Sequence, residues 1–526
     1  MADLTVDAHA PGERFSHHWS LVVGAGRANE GLRADWQRQL REVAEVQGFR
    51  YVRFHGLFHD DMFVYREDAQ GRLDPSFQYI DTLFDAMLDA GVRPFVEFGF
   101  MPSQLATATR TAFWWGANCS PPTDFDAWER LIRLTVEHWR DRYGIDEIRQ
   151  WYFEVWNEPN LRPFFHGTKS EYIELYRRTA RAVKSVDGAL PVGGPATSNF
   201  VPDTRFDGET EDTSAQIDTR EAPDLDALDW KPVWLEEFLG IAASEGLPLD
   251  FVSTHPYPTD WALDEHGQGA RLTRGVDATP ADLRLLRSLV DASAFPDAEI
   301  HLTEWSSSSS SRDRTHDYPQ AATYVVKANL DSIGLVDSLS YWTFTDIFEE
   351  EGGGQLPFHG GFGMLSYHGI PKPTYHGYRF LAALGDDLLT RSSVGAITRD
   401  STDGAISAVV YNYPDEVTQT VPASFDTREN AERTLATGSA RTTTLRVTGV
   451  RPGTRFRVEL LSPRSGNAIA RWDDLGSPLN PTRDQIAAIR ESANDLRRWE
   501  LVAGPDGLDA VIDLPAWGVA LVTQLR

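Results

Sequence analysis

One pattern constrains this chain more than any other: a short run rich in β-branched and aromatic residues, then a loop, then a longer stretch of helical periodicity, repeated along the first 384 residues. The strand-like runs are 15–24, 51–55, 93–99, 151–156, 191–195, 250–255, 299–305 and 338–344. Helical patterns follow seven of them, at 34–46, 77–90, 126–143, 170–186, 233–245, 280–294 and 318–333. In the second, Phe77, Ile80, Leu83, Phe84, Met87 and Leu88 recur at i, i+3 and i+4, the spacing of a buried helical stripe. Strands alternating with helices imply parallel pairing. Eight such units fit a closed (β/α)8 TIM barrel over 15–384 better than an open doubly wound α/β sheet, whose glycine fingerprint is missing.

Beyond residue 384 the texture changes to period-two alternation at 405–413, 442–447, 455–461, 509–514 and 518–525. That pattern predicts a C-terminal β-sandwich over 385–526. Pro481, Ile486 and Ile489 mark one inserted helix near 481–497. The polar, acidic segment 1–14 is expected to pack on the sandwich. The serine run 306–311 follows the seventh strand and predicts a flexible loop on the active face.

Charge narrows the partners. Fifty Lys and Arg against 78 Asp and Glu leave a formal charge of −28, which repels nucleic-acid phosphates and anionic lipid surfaces and favours a small neutral substrate. The lone Cys119 excludes an intrachain disulfide and a cysteine-rich zinc module. No run approaches the roughly 20 apolar residues that span a bilayer, and the first residues lack the pattern of a secretory leader, so a cytoplasmic protein is expected. Sixteen Trp, 16 Tyr and 27 Phe exceed what helical stripes need, and flat rings suit the apolar faces of sugars. A homo-oligomer, with the sandwich mediating self-association, stays open.

In a barrel the loops after the strands build the active face. The fourth strand runs into Trp156-Asn157-Glu158-Pro159-Asn160, and the seventh ends in Thr303-Glu304-Trp305. Taken singly, the first is ordinary turn chemistry and the second a solvated strand end. Together, two glutamates from strands on opposite sides of the mouth can face each other across a sugar ring. Glycoside hydrolysis needs that pair, one carboxyl protonated to release the aglycone oxygen and one ionised at the anomeric carbon. Asn157 is placed to bind the sugar 2-hydroxyl. Other chemistries lack their residues. His55 and His59 have no HExxH glutamate between them, and no phosphate loop or GxSxG elbow is present. Neither metal nor organic cofactor is required.

RFHGLFHDDM at 53–62, FEVWNEPNL at 153–161, STHPYP at 253–258, LTEW at 302–305, and YWTFTDIFEE followed by FHGGFGML at 341–365 resemble glycoside hydrolase family 39, the β-xylosidase and α-L-iduronidase family. The resemblance implies Glu158 as acid/base and Glu304 as nucleophile of a retaining double displacement. It further implies that His55, His255 and Tyr257 line the subsite of the nonreducing-end sugar, that Trp342 floors it, and that Asp346 and Glu350 bind ring hydroxyls. The iduronidase branch places a lysine for the substrate carboxylate where this chain has Tyr257, so a neutral pentose is expected over a uronic acid. The implied activity is an exo-acting β-xylosidase releasing D-xylose from xylo-oligosaccharides. Two alternatives are an exo-glycosidase of the same mechanism acting on an α-L-arabinoside, and a noncatalytic carbohydrate-binding barrel, which would need no such glutamate pair.

Overall fold

The structure, a computed structural model, describes residues 2–198, 200–202, 230–263, 269–421 and 427–525. Eight parallel strands close into a barrel: β1 Val22–Arg27, β2 Tyr51–His55, β3 Arg93–Phe98, β4 Tyr152–Val155, β5 Val192–Ser198, β6 Phe251–His255, β7 Glu299–Trp305 and β8 Ser338–Tyr341. They neighbour one another in chain order, and the Tyr341–Val23 pairing of β8 with β1 closes the ring. The strands are largely buried on both faces, as parallel strands under a coat of helices must be.

The helices are α1 Ala34–Gln47, α2 Gln78–Asp89, α3 Phe125–Tyr143, α4 Lys169–Val186, α5 Leu235–Glu245, α6 Ala278–Ala292, α7 Pro319–Asp331 and α8 Pro373–Ala382. Each of the first seven matches a helical stretch of the sequence to within a few residues. Their ends follow local chemistry. Thr168 and Glu171 form a reciprocal capping box at the start of α4, and Gly48, at φ 74°, ends α1 in the left-handed conformation that glycine takes without cost. Helix α2 buries Ile80, Leu83, Phe84 and Met87, with Phe84 stacked on Trp139 of α3 at 5.2 Å.

Three expectations change. The first strand begins at Val22 rather than Phe15, because His18–Ser20 forms a buried 3-10 turn in which Trp19 packs on His17 and Phe15. Helix α8 has no counterpart in the periodic pattern, which shows only turn residues up to Pro373, its first residue. The serine run is packed instead of flexible: Ser306, Ser307 and Ser308 are fully buried, Ser306 Oγ donates to Ser308 O at 2.6 Å, and Ser309 N donates to Thr259 Oγ1 at 3.1 Å.

Two further sheets share one apolar core. A three-stranded sheet joins Ala2–Asp7, Arg441–Thr448 and Leu508–Leu514, and a seven-stranded sheet includes Glu13–Arg14, Asp387–Ser392, Gly395–Arg399, Ile406–Tyr411, Val519–Gln524, Arg455–Leu461 and Arg497–Val502. Leu445, Val447, Ile512 and Leu514 of the first pack against Ile397, Val410, Phe456 and Val522 of the second, which makes a sandwich. Arg483–Asn494 is helical, with Thr482 and Gln485 forming its capping box, and Arg428–Leu435 and Ile469–Asp474 are short helices that the sequence pattern does not single out. These helices bury Ile489, Trp472 and Ala431 against Tyr318, Phe358 and Ile370 of the barrel loops. The sandwich side therefore braces the loops that follow β7 and β8.

Candidate active site

Arg53 and His55, two residues apart on β2, point into the barrel, as do Glu97 on β3, Glu154 on β4, His255 on β6 and Thr303 on β7, all essentially buried. The guanidinium of Arg53 organises this layer. Its Nε donates to Glu154 Oε2 at 2.8 Å, one Nη donates to Asn157 Oδ1 at 2.8 Å and lies 3.0 Å from Glu97 Oε2, and the other Nη pairs with Glu304. His55 joins through Nδ1, 2.6 Å from Glu97 Oε2, and Nε2, 3.3 Å from Glu304 Oε1. Tyr257 Oη donates to Glu304 Oε2 at 3.2 Å. Glu304 is thus held from three sides.

Glu158 sits opposite. Its own backbone, at φ 47°, and that of Trp156, at φ 69°, lie in the left-handed region, which costs on the order of 1–3 kcal/mol for each non-glycine residue. Glu158 N donates to Ala196 O at 2.9 Å and Trp156 Nε1 donates to Phe164 O at 2.9 Å, bonds that hold the turn in place. His255 Nδ1 lies 3.0 Å from Glu158 Oε1, and the Ser198 hydroxyl bonds to the same carboxyl. Among the described residues, Glu158, His255 and Glu304 bring one oxygen or nitrogen each within 4.8 Å of the others. The carboxyl pair thereby approaches the roughly 5–5.5 Å separation of a retaining glycosidase.

Burial sets the protonation. It pushes the Glu158 carboxyl up to about 7, with the Ser198 hydroxyl, the His55 ring and the Arg53 guanidinium pulling the other way. It raises Glu97 to about 7 against the pull of Arg53, and raises Glu350 well above the carboxylate range with help from Glu304 and Glu158. Burial also lowers His55 and His255 to about 4, so both are neutral at pH 7. Burial thus disfavours the charged forms of Glu97, Glu158 and Glu350 together.

The carboxyls open into a cavity of about 310 Å³ lined by His55, Asn157, Glu158, Tyr257, Glu304, Trp342 and Glu350, with Phe113, Phe164 and Phe362 at its sides. Trp342 follows β8 and packs 4.8 Å from His55. Its indole presses on β1 at Gly24, where a Cβ would stand 2.2 Å from the ring, so glycine is required there. Two of the residues expected around the sugar lie elsewhere. His255 does not line the cavity; it lies behind Glu158, fully buried, with Nε2 2.8 Å from Thr303 Oγ1. Asp346 does not reach the cavity either: its oxygens accept from Gly363 N at 2.7 Å and Lys372 Nζ at 3.1 Å, an internal brace for the loop after β8. Conversely, Arg53, Glu97, Glu154 and Thr303 do not stand out in the sequence as site residues. The available signal is a charged residue in the middle of an otherwise apolar buried strand, RPFVEF and YFEV, which needs an equally buried partner.

A closed barrel with two buried glutamates facing each other over a ring-sized, aromatic-walled cavity defines a glycoside hydrolase. Glycosyl hydrolases family 39 matches residues 2–500, and the chain belongs to that family. It is 36% identical to a β-xylosidase of Geobacillus stearothermophilus over 91% of this chain and 86% of the relative, and 35% identical to one of Caldicellulosiruptor saccharolyticus over 92% and 90%. Among solved structures, a monomeric β-xylosidase from Caulobacter crescentus superposes with a TM-score of 0.85 at 32% identity, covering 100% of this chain and 99% of that one. No helix among the described residues is long and apolar enough to cross a membrane.

Proposed function

We propose that the protein is a retaining β-xylosidase that removes single xylose units from the nonreducing ends of short xylo-oligosaccharides. Glu304 is the nucleophile and Glu158 the acid/base. The observation that carries this reading is the asymmetry between two carboxyls whose oxygens approach within 4.8 Å. Glu158 is pushed up to about 7 by burial, as an acid at neutral pH requires. Glu304 receives Arg53 and Tyr257, donors suited to a charged nucleophile. The sugar would sit over Trp342, with Asn157 at its 2-hydroxyl, and Glu304 would attack the anomeric carbon as Glu158 protonates the leaving oxygen. Water activated by Glu158 then releases xylose with retained configuration.

Walls of phenylalanine and a cavity of about 310 Å³ suit one neutral ring and part of the next. Among the described residues that line the cavity, no lysine or arginine offers a partner to a uronic carboxylate. The test is Glu158→Ala on a series of aryl xylosides. Poor leaving groups, which need the proton, should slow on the order of 10²–10⁴-fold, and activated ones far less. Equal slowing across the series would remove Glu158 from the acid role.

A further inference from the structure

We propose that Thr303 and Glu154 are positioning residues that decide which nitrogen of His255 carries its proton, and thereby hold Glu158 in its protonated form in the resting enzyme. The proposal rests on the reading of Glu158 as the acid. Its basis is a line of three hydrogen bonds crossing the barrel from β4 through β7 and β6 to the loop after β4. Thr303 Oγ1 stands 2.7 Å from Glu154 Oε1 and 2.8 Å from His255 Nε2, and His255 Nδ1 stands 3.0 Å from Glu158 Oε1.

The direction of each bond follows from the first. Glu154 accepts from Arg53 Nε at Oε2, and a carboxylate is an acceptor only. The one hydroxyl proton of Thr303 therefore points at Glu154. Thr303 Oγ1 can then only accept from His255, so Nε2 carries the imidazole proton. A neutral imidazole has a single N–H, which leaves Nδ1 bare, and a bare nitrogen 3.0 Å from a carboxyl oxygen needs that oxygen to bring the proton. Glu158 is that donor. A half-turn of its carboxyl group then exchanges the two oxygens and presents the proton to the leaving group. The charged and titratable groups around this pair are Arg53, His55, Glu97, Glu304, Glu350 and Tyr257. The two ring nitrogens of His255 spend their hydrogen bonds on Glu158 and Thr303, so the tautomer is set through Thr303.

Glu154→Gln reverses the line. Arg53 keeps the amide oxygen, the amide N–H₂ turns to Thr303, the hydroxyl proton turns to His255 Nε2, and the imidazole becomes the Nδ1–H form, which favours an ionised Glu158. Thr303→Val removes the relay, and Thr303→Ser restores it. Nitrogen-15 NMR of histidine-labelled protein at neutral pH should show His255 as the Nε2–H tautomer in the wild type and as Nδ1–H in Glu154→Gln. In kcat/KM on a xyloside with a poor leaving group, the basic limb should fall by about one pH unit in Thr303→Val and Glu154→Gln, the size of one reversed hydrogen bond, with Thr303→Ser returning it to the wild-type position. An Nδ1–H His255 in the wild type, or a Thr303→Val profile superimposed on the wild-type one, would overturn the relay. The tautomer measurement needs no turnover. Failure of the acid assignment instead shows as a Glu158→Ala variant with no leaving-group dependence, whatever the tautomer.

Discussion

The two ends of the barrel are made by the same strands, two residues apart. At the lower end Phe95, Tyr152 and Phe251 close the interior, with Phe95 stacked on Tyr152 at 4.9 Å and His301 edge-on to Tyr152 at 4.9 Å. One inward step further along, the same strands present Glu97, Glu154, Ser253 and Thr303, and β2 adds Arg53. The lower layer is aromatic. The upper layer buries one guanidinium among carboxyls, which is a poor way to stabilise a core and a good way to keep two glutamates in unlike states. Stability and chemistry are thus divided along the strand axis rather than between separate parts of the chain.

That division can be broken from the top. Arg53→Met removes the partner of Glu97, Glu154 and Glu304 at once, and loss of one side of a buried ion pair costs about 3–5 kcal/mol. Activity should vanish and the melting temperature should drop together, measured by xyloside turnover and calorimetry. It can be sharpened from the bottom. Phe95→Ala should cost about 3–5 kcal/mol through the cavity it leaves, yet turnover per folded molecule should stay near wild type below the new melting point. A matched loss of kcat would show that the two layers are not separable.

The smallest effect is the most diagnostic of the upper layer. Glu158 has a folded value of about 7 against an ordinary value of 4.5, raised by burial. Between those two pH values the folded state holds more protons than the unfolded one, so this group's contribution to stability is present below about 4.5 and is lost as pH rises toward 7. His55 and His255, lowered by burial from 6.5 to about 4, act with the opposite sign across much the same window. The wild-type curve therefore mixes the two. Glu158→Gln cannot ionise there, so its stability relative to wild type should increase steadily from about pH 4.5 to 7 in denaturant titrations. A constant difference would mean that Glu158 is not buried as an acid.

The barrel is legible in the sequence because parallel strands and amphipathic helices leave periodic traces, and seven helices stand out on that ground alone. The eighth does not: α8 starts at Pro373 after a stretch of glycines and aromatics that reads as turns. In the site, Glu158 is visible among the turn residues just past β4, and Glu304 as a charged residue near the end of the apolar β7. Arg53, Glu97 and Glu154 are meaningful only as a set, and their partners lie on four different strands. Asp346 is misplaced by sequence for the converse reason. Its loop sits beside the cavity, but its partner Lys372 lies 26 residues on, and only the folded chain shows the carboxylate turned inward.

Attack of Glu304 on the anomeric carbon is the step on which the rest of the mechanism depends, and trapping tests it most directly. Incubation with a 2-deoxy-2-fluoroxyloside bearing a good leaving group should slow breakdown of the covalent intermediate more than its formation and trap it. Mass spectrometry of the digested protein should then find one fluoroxylosyl group on the peptide that carries Glu304, and none in Glu304→Ala. A label on any other residue, or turnover of ordinary xylosides by Glu304→Ala at the wild-type rate, would contradict a nucleophilic Glu304.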